Sequence, residues 1–197
     1  YDKILKVAKK EFLANGFEKT SIRDIGKIIG ISSTALYRHF ENKEAIFATL
    51  LKPMLEDIEK MFESREEFYL GDFDVEIHLK MWIKEPNDLD ALVDNIYKYN
   101  DEWKLVLTCS EGTSFNDFFQ TMVNRVQINT LKYLDVLREK GLSVNEVDPV
   151  ELHFIMSAYY SSVIEIVKHE LTYEDAVHYV QTLKNFFYPG WKNLLGI

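Results

Sequence analysis

The sequence predicts an all-α protein. Apolar residues recur at intervals of three and four along most of the chain, which is the period of a helix with one buried face. Only 4 Pro and 8 Gly interrupt 197 residues, so turns are few and elements are long. No stretch alternates convincingly between apolar and polar residues as a strand would. Hydrophobic residues make up 47% of the chain and aromatic residues 14%, which is enough to fill a helical core or to line an apolar pocket.

Two short helices are expected first. One runs from Tyr1 to Asn15 and ends at Gly16, because glycine accepts the left-handed conformation that terminates a helix. The next begins at Ser21, in a capping box completed by Asp24, and Gly30 ends it. The spacing therefore predicts two helices within the first thirty residues.

A third helix is expected to follow almost at once. It begins near Ser32 or Ser33, either of which could cap it, and continues to Phe40. Only Gly30-Ile31, and Ser32 if the helix starts later, separate it from the helix before. Two short helices joined by a tight turn that contains glycine are typical of a helix-turn-helix.

The rest of the chain is expected to continue as helices. A fourth helix, capped by Asn42, passes through Pro53, where we expect a kink. We place the boundary near this point, with a helix-turn-helix domain over 1–51 and an all-helical domain over 52–197. Further helices are predicted over 74–84, from Pro86 to about 99, and over 101–110, 114–140, 148–170 and 172–187.

Charge is distributed unevenly along the chain. The whole sequence carries a net charge of −9, but its first 52 residues hold ten Lys/Arg and six Asp/Glu, a net charge of +4. The remainder holds 13 basic and 26 acidic residues, a net charge of −13. A small basic region attached to an acidic body is expected when only that region meets nucleic-acid phosphate.

Several classes of protein are disfavoured. The single cysteine, Cys109, rules out an internal disulfide and fits a reducing, cytoplasmic setting. No apolar run approaches the roughly 20 residues that a membrane span needs, and no secretion signal is predicted. Because we find neither a phosphate-binding glycine-rich loop nor a nucleophile elbow, we expect no enzyme, no cofactor and no metal. Glu165 and His169 lie four apart on one helix, a spacing that is common by chance.

Three segments resemble the DNA-binding domain of the tetracycline-repressor (TetR) family. They are FLANGF at 12–17, TSIRDI at 20–25 and TALYRHFENKE at 34–44. The last is much more specific than a generic helix-turn-helix, and the resemblance covers residues 1–51. It implies a regulator, usually a repressor, that a small-molecule effector releases from its operator. An all-helical ligand-binding module or enzyme that does not bind DNA is the alternative.

The third helix is expected to lie in the major groove, which is wide enough to admit a helix. Arg38 is the best candidate for guanine recognition. The resemblance implies that Tyr37, His39 and Lys43 contact phosphate, and Ser21 would do so at the start of the second helix. Helix capping is the alternative role for the serines. The predicted DNA-binding residues are Ser21, Arg23, Ser32, Ser33, Thr34, Ala35, Tyr37, Arg38, His39 and Lys43.

The middle of the chain is expected to hold an effector. Aromatic and apolar linings with few polar groups are typical of small-molecule sites, so the effector is expected to be apolar or aromatic. An ordinary core is the alternative. The predicted pocket residues are Trp82, Trp103, Cys109, Phe115, Phe118, Phe119, Met122 and Tyr159.

The family resemblance also implies a homodimer whose last two helices pair with those of the partner, and hence a palindromic double-stranded DNA operator. Apolar residues spread around more than one face of these helices, as a second packing partner would require. An intramolecular core is the alternative. The predicted interface residues are Phe154, Tyr160, Val163, Val167, Val177, Val180, Lys184 and Phe187.

Overall fold

The computed structural model describes residues 1–72, 74 and 88–197, and over these residues it contains helices and no strand. The all-α prediction is confirmed. The predicted helix at 74–84 and the predicted helix start at Pro86 fall outside the described residues, apart from position 74. The helices are α1 (Asp2–Lys19), α2 (Ile22–Ile29), α3 (Ser33–Tyr37), α4 (Lys43–Leu70), α5 (Asp88–Lys98), α6 (Asn100–Thr108), α7 (Phe118–Glu139), α8 (Pro149–Lys168) and α9 (Tyr173–Leu195).

The starts of α2, α3 and α4 are fixed by side chains that cap them. The Ser21 hydroxyl accepts the N–H groups of Arg23 and Asp24. The Ser32 hydroxyl accepts one N–H group of α3 at 3.2 Å, and the Asn42 side-chain oxygen accepts one of α4 at 2.8 Å. These bonds satisfy backbone donors that have no partner within the helix. The predicted capping roles are confirmed, and Ser32, rather than Ser33, caps α3.

Several helix bounds differ from those predicted. Gly16 breaks α1 with a φ of 76°, as expected, but helical structure resumes as far as Lys19. Helix α4 continues through Pro53 to Leu70. The predicted helix start at residue 114 is wrong, because α7 begins only at Phe118. Helix α9 likewise runs past its predicted end, through Pro189.

The described chain divides into two compact units. The first unit comprises residues 1–58 and 99–119, and the second comprises 59–98 and 120–197. The predicted boundary near residue 51 stays a prediction, because compactness alone does not define a domain that folds independently. Within the described residues, no helix combines the length and the apolar composition that crossing a bilayer would require.

Candidate nucleic-acid interface and ligand cavity

Helix α3 is held in place from one side only. Leu36 and Phe40 are 1% and 6% exposed and anchor it in the core of the first unit. Gly26 permits the tight turn that precedes it, because a Cβ at this position would lie 2.7 Å from the carbonyl oxygen of Ile31. The Ile31 N–H in turn donates to the Gly26 carbonyl. The opposite side of α3 is left facing solvent.

None of the ten predicted DNA-binding residues is buried. Tyr37 is 54% exposed, and its neighbours Arg38 and His39 are exposed with it at the C-terminal end of α3. The set therefore lies where a duplex could reach it, and the individual contacts remain predictions. The exposed members are Arg23, Ser32, Thr34, Tyr37, Arg38 and His39, and the half-buried members are Ser21, Ser33, Ala35 and Lys43.

Lys43 has an internal role that the sequence did not indicate. Its ammonium group donates to the carbonyl oxygens of Phe17, Glu18 and Thr20, at 2.7, 3.3 and 3.0 Å. It also lies 4.1 Å from the centre of the Phe17 ring. Burial lowers the pKa of Lys43, and the nearby Glu18 carboxylate opposes this change. Since an ammonium has three N–H donors, each can serve one of these carbonyl oxygens at the end of α1, and the phosphate contact of Lys43 stays a prediction.

Residues 99–119 pack against the helix-turn-helix segment within the first unit. The Phe17 N–H donates to the Cys109 carbonyl at 2.9 Å. The Ser114 N–H and hydroxyl both donate to one oxygen of Glu44, at 2.8 and 2.7 Å, and these bonds lower the pKa of Glu44. Phe115 completes the contact with a ring 6.1 Å from that of Phe47.

The second unit contains a cavity of about 120 Å³. Its walls come from α4, α7, α8 and α9, and aromatic side chains dominate them. The lining residues are Phe62, Arg65, Glu66, Tyr69, Leu70, Val126, Asn129, Thr130, Tyr133, Met156, Tyr159, Tyr160, Lys184, Tyr188, Trp191 and Leu195.

Of the residues predicted to line an effector pocket, Tyr159 lines this cavity. Trp103 is fully buried in the core of the first unit, to which Cys109 and the three phenylalanines also belong. Met122 lies in the second unit but does not line this cavity. Trp82 falls outside the described residues. Among the described residues of this set, only Tyr159 lines this cavity, and the pocket role of the others stays a prediction.

The comparisons with known proteins agree with the geometry of the first unit. Residues 4–50 match the model of the bacterial regulatory proteins of the tetR family. Over these residues, the chain is similar to the TetR family. The predicted resemblance is confirmed.

Relatives of known description are regulators. The HTH-type transcriptional repressor KstR2 of Rhodococcus jostii is 29% identical over 51% of this chain and 48% of its own length. The HTH-type transcriptional regulator QacR of Staphylococcus aureus is 36% identical over 35% of this chain and 41% of its own length. The matches thus span about half or less of these relatives.

Solved structures extend the likeness of the fold beyond the TetR-family domain. The TetR family transcriptional regulator PfmR from Thermus thermophilus matches with a TM-score of 0.55 at 23% identity, over 91% of this chain and 96% of that one. The probable transcriptional regulatory protein RHA5900 matches with a TM-score of 0.58 at 16% identity, over 93% and 94%. At these identities the likeness establishes the fold alone. An N-terminal helix-turn-helix followed by a helical domain was the predicted architecture, and it is confirmed.

The residues predicted to form a dimer interface fall into two groups. Phe154 and Val177 are 65% and 46% exposed. Phe187 is half-buried, and the Lys184 ammonium is paired with Asp90 inside the second unit. The remaining four are buried within their own chain, at 7% exposure or less, and so pack intramolecularly: Tyr160, Val163, Val167 and Val180.

Within the residues described, no group of three or more His, Cys, Asp or Glu side chains is arranged to hold a metal ion. Glu165 and His169 contact each other at 3.2 Å, and Glu165 also accepts a hydrogen bond from Lys168. Both partners lower the pKa of Glu165, with Lys168 the larger influence. The pair therefore forms part of a surface ion-pair cluster on α8.

Proposed function

We propose that this chain is a sequence-specific DNA-binding transcriptional regulator, a repressor that a small-molecule effector releases from a palindromic operator. The observation that carries the proposal is the outward face of α3, where Thr34, Tyr37 and Arg38 are exposed together above a tightly packed core. A helix so presented is suited to enter a major groove, where side chains of these kinds can bond phosphates and base edges. The function requires a cytoplasmic location.

Charge supports the same proposal. The first 52 residues are net positive although the chain is net negative. On α2 and α3, Arg23, Lys27 and Arg38 are exposed, whereas Lys43 is engaged internally. We therefore assign the electrostatic contact with DNA to the exposed cations, and the stabilisation of the C-terminal end of α1 to Lys43.

A homodimer formed through α8 and α9 completes the proposal. These helices carry large apolar side chains on their solvent-facing sides: Val150, Phe154, Ile155, Val177 and Phe186 are between 37% and 76% exposed. Contiguous exposed apolar surface is typical of a contact with another protein. The occupant we propose is a second copy, because a two-fold arrangement of helix-turn-helix domains matches a palindromic operator.

The DNA proposal is tested by selecting bound duplexes from a random pool with the full chain. We expect a consensus with two-fold symmetry. On the selected duplex, Arg38→Ala should cost about 1–3 kcal/mol of binding free energy and relax the base preference at one position per half-site. Lys168→Ala, a substitution of an exposed cation on α8, is the matched control and should bind like the unmodified chain. Failure to enrich any duplex would favour the alternative, a helical module that does not bind DNA.

The dimer proposal is tested by sedimentation of the full chain and of a Phe154→Glu, Phe186→Glu double variant. We expect a dimer that the double variant converts to a folded monomer, because each glutamate would be buried without a partner in the interface. Ile128→Glu, at a position on α7 that is 52% exposed, is the control and should leave the dimer intact. A monomeric unmodified chain, or a double variant that still dimerises fully, would contradict this assignment.

A further inference from the structure

We propose that the cavity of the second unit binds an uncharged molecule the size of one aromatic ring, carrying one small hydrogen-bond donor. The inference rests on the proposed function for its regulatory meaning, because a ligand held here would be the effector. Its test measures ligand binding without DNA, so the two proposals can fail separately.

The wall is built from one stripe of each contributing helix. On α9 the lining positions 184, 188, 191 and 195 recur at intervals of three and four, so they share one helical face. The lining residues of α4 and α7 recur in the same way, from Phe62 to Leu70 and from Val126 to Tyr133. Seven of the lining residues are aromatic. A cavity lined in this way favours a flat, apolar ligand, because aromatic rings prefer stacked or edge-on contacts with one another.

The volume limits the size of the ligand. The cavity measures about 120 Å³. An engineered apolar cavity of about 150 Å³ in another protein binds benzene. The cavity is therefore of the size class that accepts a single ring, and a second fused ring would have to displace wall side chains.

Two of the three ionised groups at the wall, Glu66 and Lys184, already have counter-charges, and the third, Arg65, lies with its guanidinium carbon 5.8 Å from the centre of the Tyr69 ring. Glu66 accepts hydrogen bonds from Asn129 at 2.8 Å and from Arg125 at 3.2 and 3.3 Å, and these bonds lower its pKa. Lys184, whose side chain is 11% exposed, is paired with Asp90. A charged ligand beside Glu66 or Lys184 would lose its hydration without gaining a new counter-ion. The charge pattern of the wall thus favours a neutral ligand over an ionised one.

The polar group of the ligand follows from Asn129 and Thr130. Because one Asn129 side-chain N–H donates to Glu66, the amide retains its carbonyl oxygen as an acceptor and its second N–H as a donor. Thr130, the next residue of the wall, has a hydroxyl that can accept or donate. A ligand hydroxyl that donates to one of these oxygens complements the site, whereas an aprotic ring leaves them without a ligand contact.

The test compares four single-ring probes that differ in charge and polarity: phenol, toluene, benzoate and benzylammonium. Each is titrated into the full-length chain at pH 7 by calorimetry, and the unfolding temperature is measured with each probe. We expect phenol to bind saturably and to raise the unfolding temperature, as a ligand of the native state must. Phenol should bind at least about tenfold more tightly than either ion, and more tightly than toluene.

Two variants locate the binding. Val126→Phe fills the cavity and should weaken phenol binding at least about tenfold, whereas Ile128→Phe makes a similar enlargement at an exposed position of the same helix and should leave it unchanged. Thr130→Val keeps the side-chain shape and should bring phenol affinity down towards that of toluene. This second variant keeps the test decisive if Val126→Phe does not fold.

Each outcome decides the proposal. Absence of phenol binding, tighter binding of benzoate or benzylammonium, or equal losses in Val126→Phe and Ile128→Phe would overturn it. If no probe binds but the chain still selects a symmetric duplex, the cavity assignment fails and the regulator proposal stands. If phenol binds at the cavity but leaves the affinity for the selected duplex unchanged, the cavity assignment is supported and release from DNA by such a ligand is excluded.

Discussion

The two units differ in how their aromatic rings pack: the first has a filled core, and the second has a cavity. In the first, the rings of Phe12 and Phe17 pack edge-on against Phe47 at 5.3 and 5.4 Å, and Phe47 itself is fully buried. In the second, rings of similar size surround a space of about 120 Å³. Filled cores transmit small displacements, whereas incomplete packing leaves room for a ligand. Under the proposed function, the first arrangement would hold α3 precisely and the second would leave room for an effector.

The polar contacts around Lys43 and Glu44 also differ in kind from those around the cavity. In the first unit, Lys43 binds backbone carbonyls and Glu44 binds a backbone N–H, so side chains fix the course of the main chain. Around the cavity of the second unit, charged side chains pair with one another, as Arg125 does with Glu59 and Glu66. Contacts to the backbone constrain a loop directly, whereas pairs of exposed side chains contribute little to stability.

The largest expected effect is on the free energy of unfolding. It compares two variants on one helix, one in each unit. Phe47 and Phe62 both belong to α4, but the first is fully buried and the second lines the cavity. Phe47→Ala should lower the free energy of unfolding by about 3–5 kcal/mol, because it removes a buried ring and leaves a void. Phe62→Ala should cost only about 1–2 kcal/mol, because that ring is half-exposed and already borders empty space.

Urea unfolding of the full chain measures both variants. Tyr37→Ala, which removes an aromatic ring that is 54% exposed, is the control within the first unit and should change stability by less than about 1 kcal/mol. Equal losses for Phe47→Ala and Phe62→Ala would show that the two regions are packed alike.

The features that could be predicted from the sequence are the local ones. A cap depends on residues two or three positions apart, so the starts of α2, α3 and α4 follow from Ser21, Ser32 and Asn42. The buried side of α3 follows from the spacing of Leu36 and Phe40. These signals lie within one turn of a helix, where side chains four apart are neighbours by geometry alone.

The cavity and the internal role of Lys43 depend on contacts between distant parts of the chain. Glu44 and Ser114 are 70 positions apart, and neither carries a pattern that points to the other. Trp103 and Trp191 have the same aromatic character, yet the first is fully buried and the second lines the cavity. Composition identifies aromatic helices, but the choice between core and pocket is made by how those helices pack together.

A smaller effect separates an internal role of Lys43 from a contact with DNA. Lys43→Met should lower the free energy of unfolding by about 1–3 kcal/mol, because three carbonyl oxygens at the end of α1 lose their donor. Lys52→Met, at a site on the same helix whose side chain is 70% exposed, is the matched control and should change stability by no more than about 0.5 kcal/mol.

Thermal or urea unfolding in the absence of DNA makes this measurement. A Lys43→Met variant with unchanged stability and reduced affinity for the selected duplex would return Lys43 to the phosphate contact that the family resemblance implies. It would also remove one of the backbone contacts that distinguish the first unit from the second.

The smallest expected effect concerns pH and the ion pairs of the second unit. The pKa of Glu66 lies below its ordinary value of 4.5, because Asn129 and then Arg125 bond its ionised form. The folded chain therefore holds this proton less tightly than the unfolded chain. Its contribution to stability is fully present above about pH 4.5 and is lost as the pH falls through the lower folded value. Since the Glu66 side chain is 36% exposed, solvent screening limits that contribution to less than about 1 kcal/mol.

Unfolding of Glu66→Gln and of the unmodified chain, compared at several pH values between 7 and 3, measures the contribution. The stability difference between them should be largest at neutral pH and should shrink as the pH falls, because both chains then carry an uncharged side chain at this position. Glu67→Gln, at the exposed neighbouring position of α4, should differ from the unmodified chain by a smaller and more nearly constant amount. A difference of several kcal/mol for Glu66→Gln would mean that charged pairs stabilise the second unit as strongly as backbone contacts stabilise the first, and the contrast between the two units would then rest on packing alone.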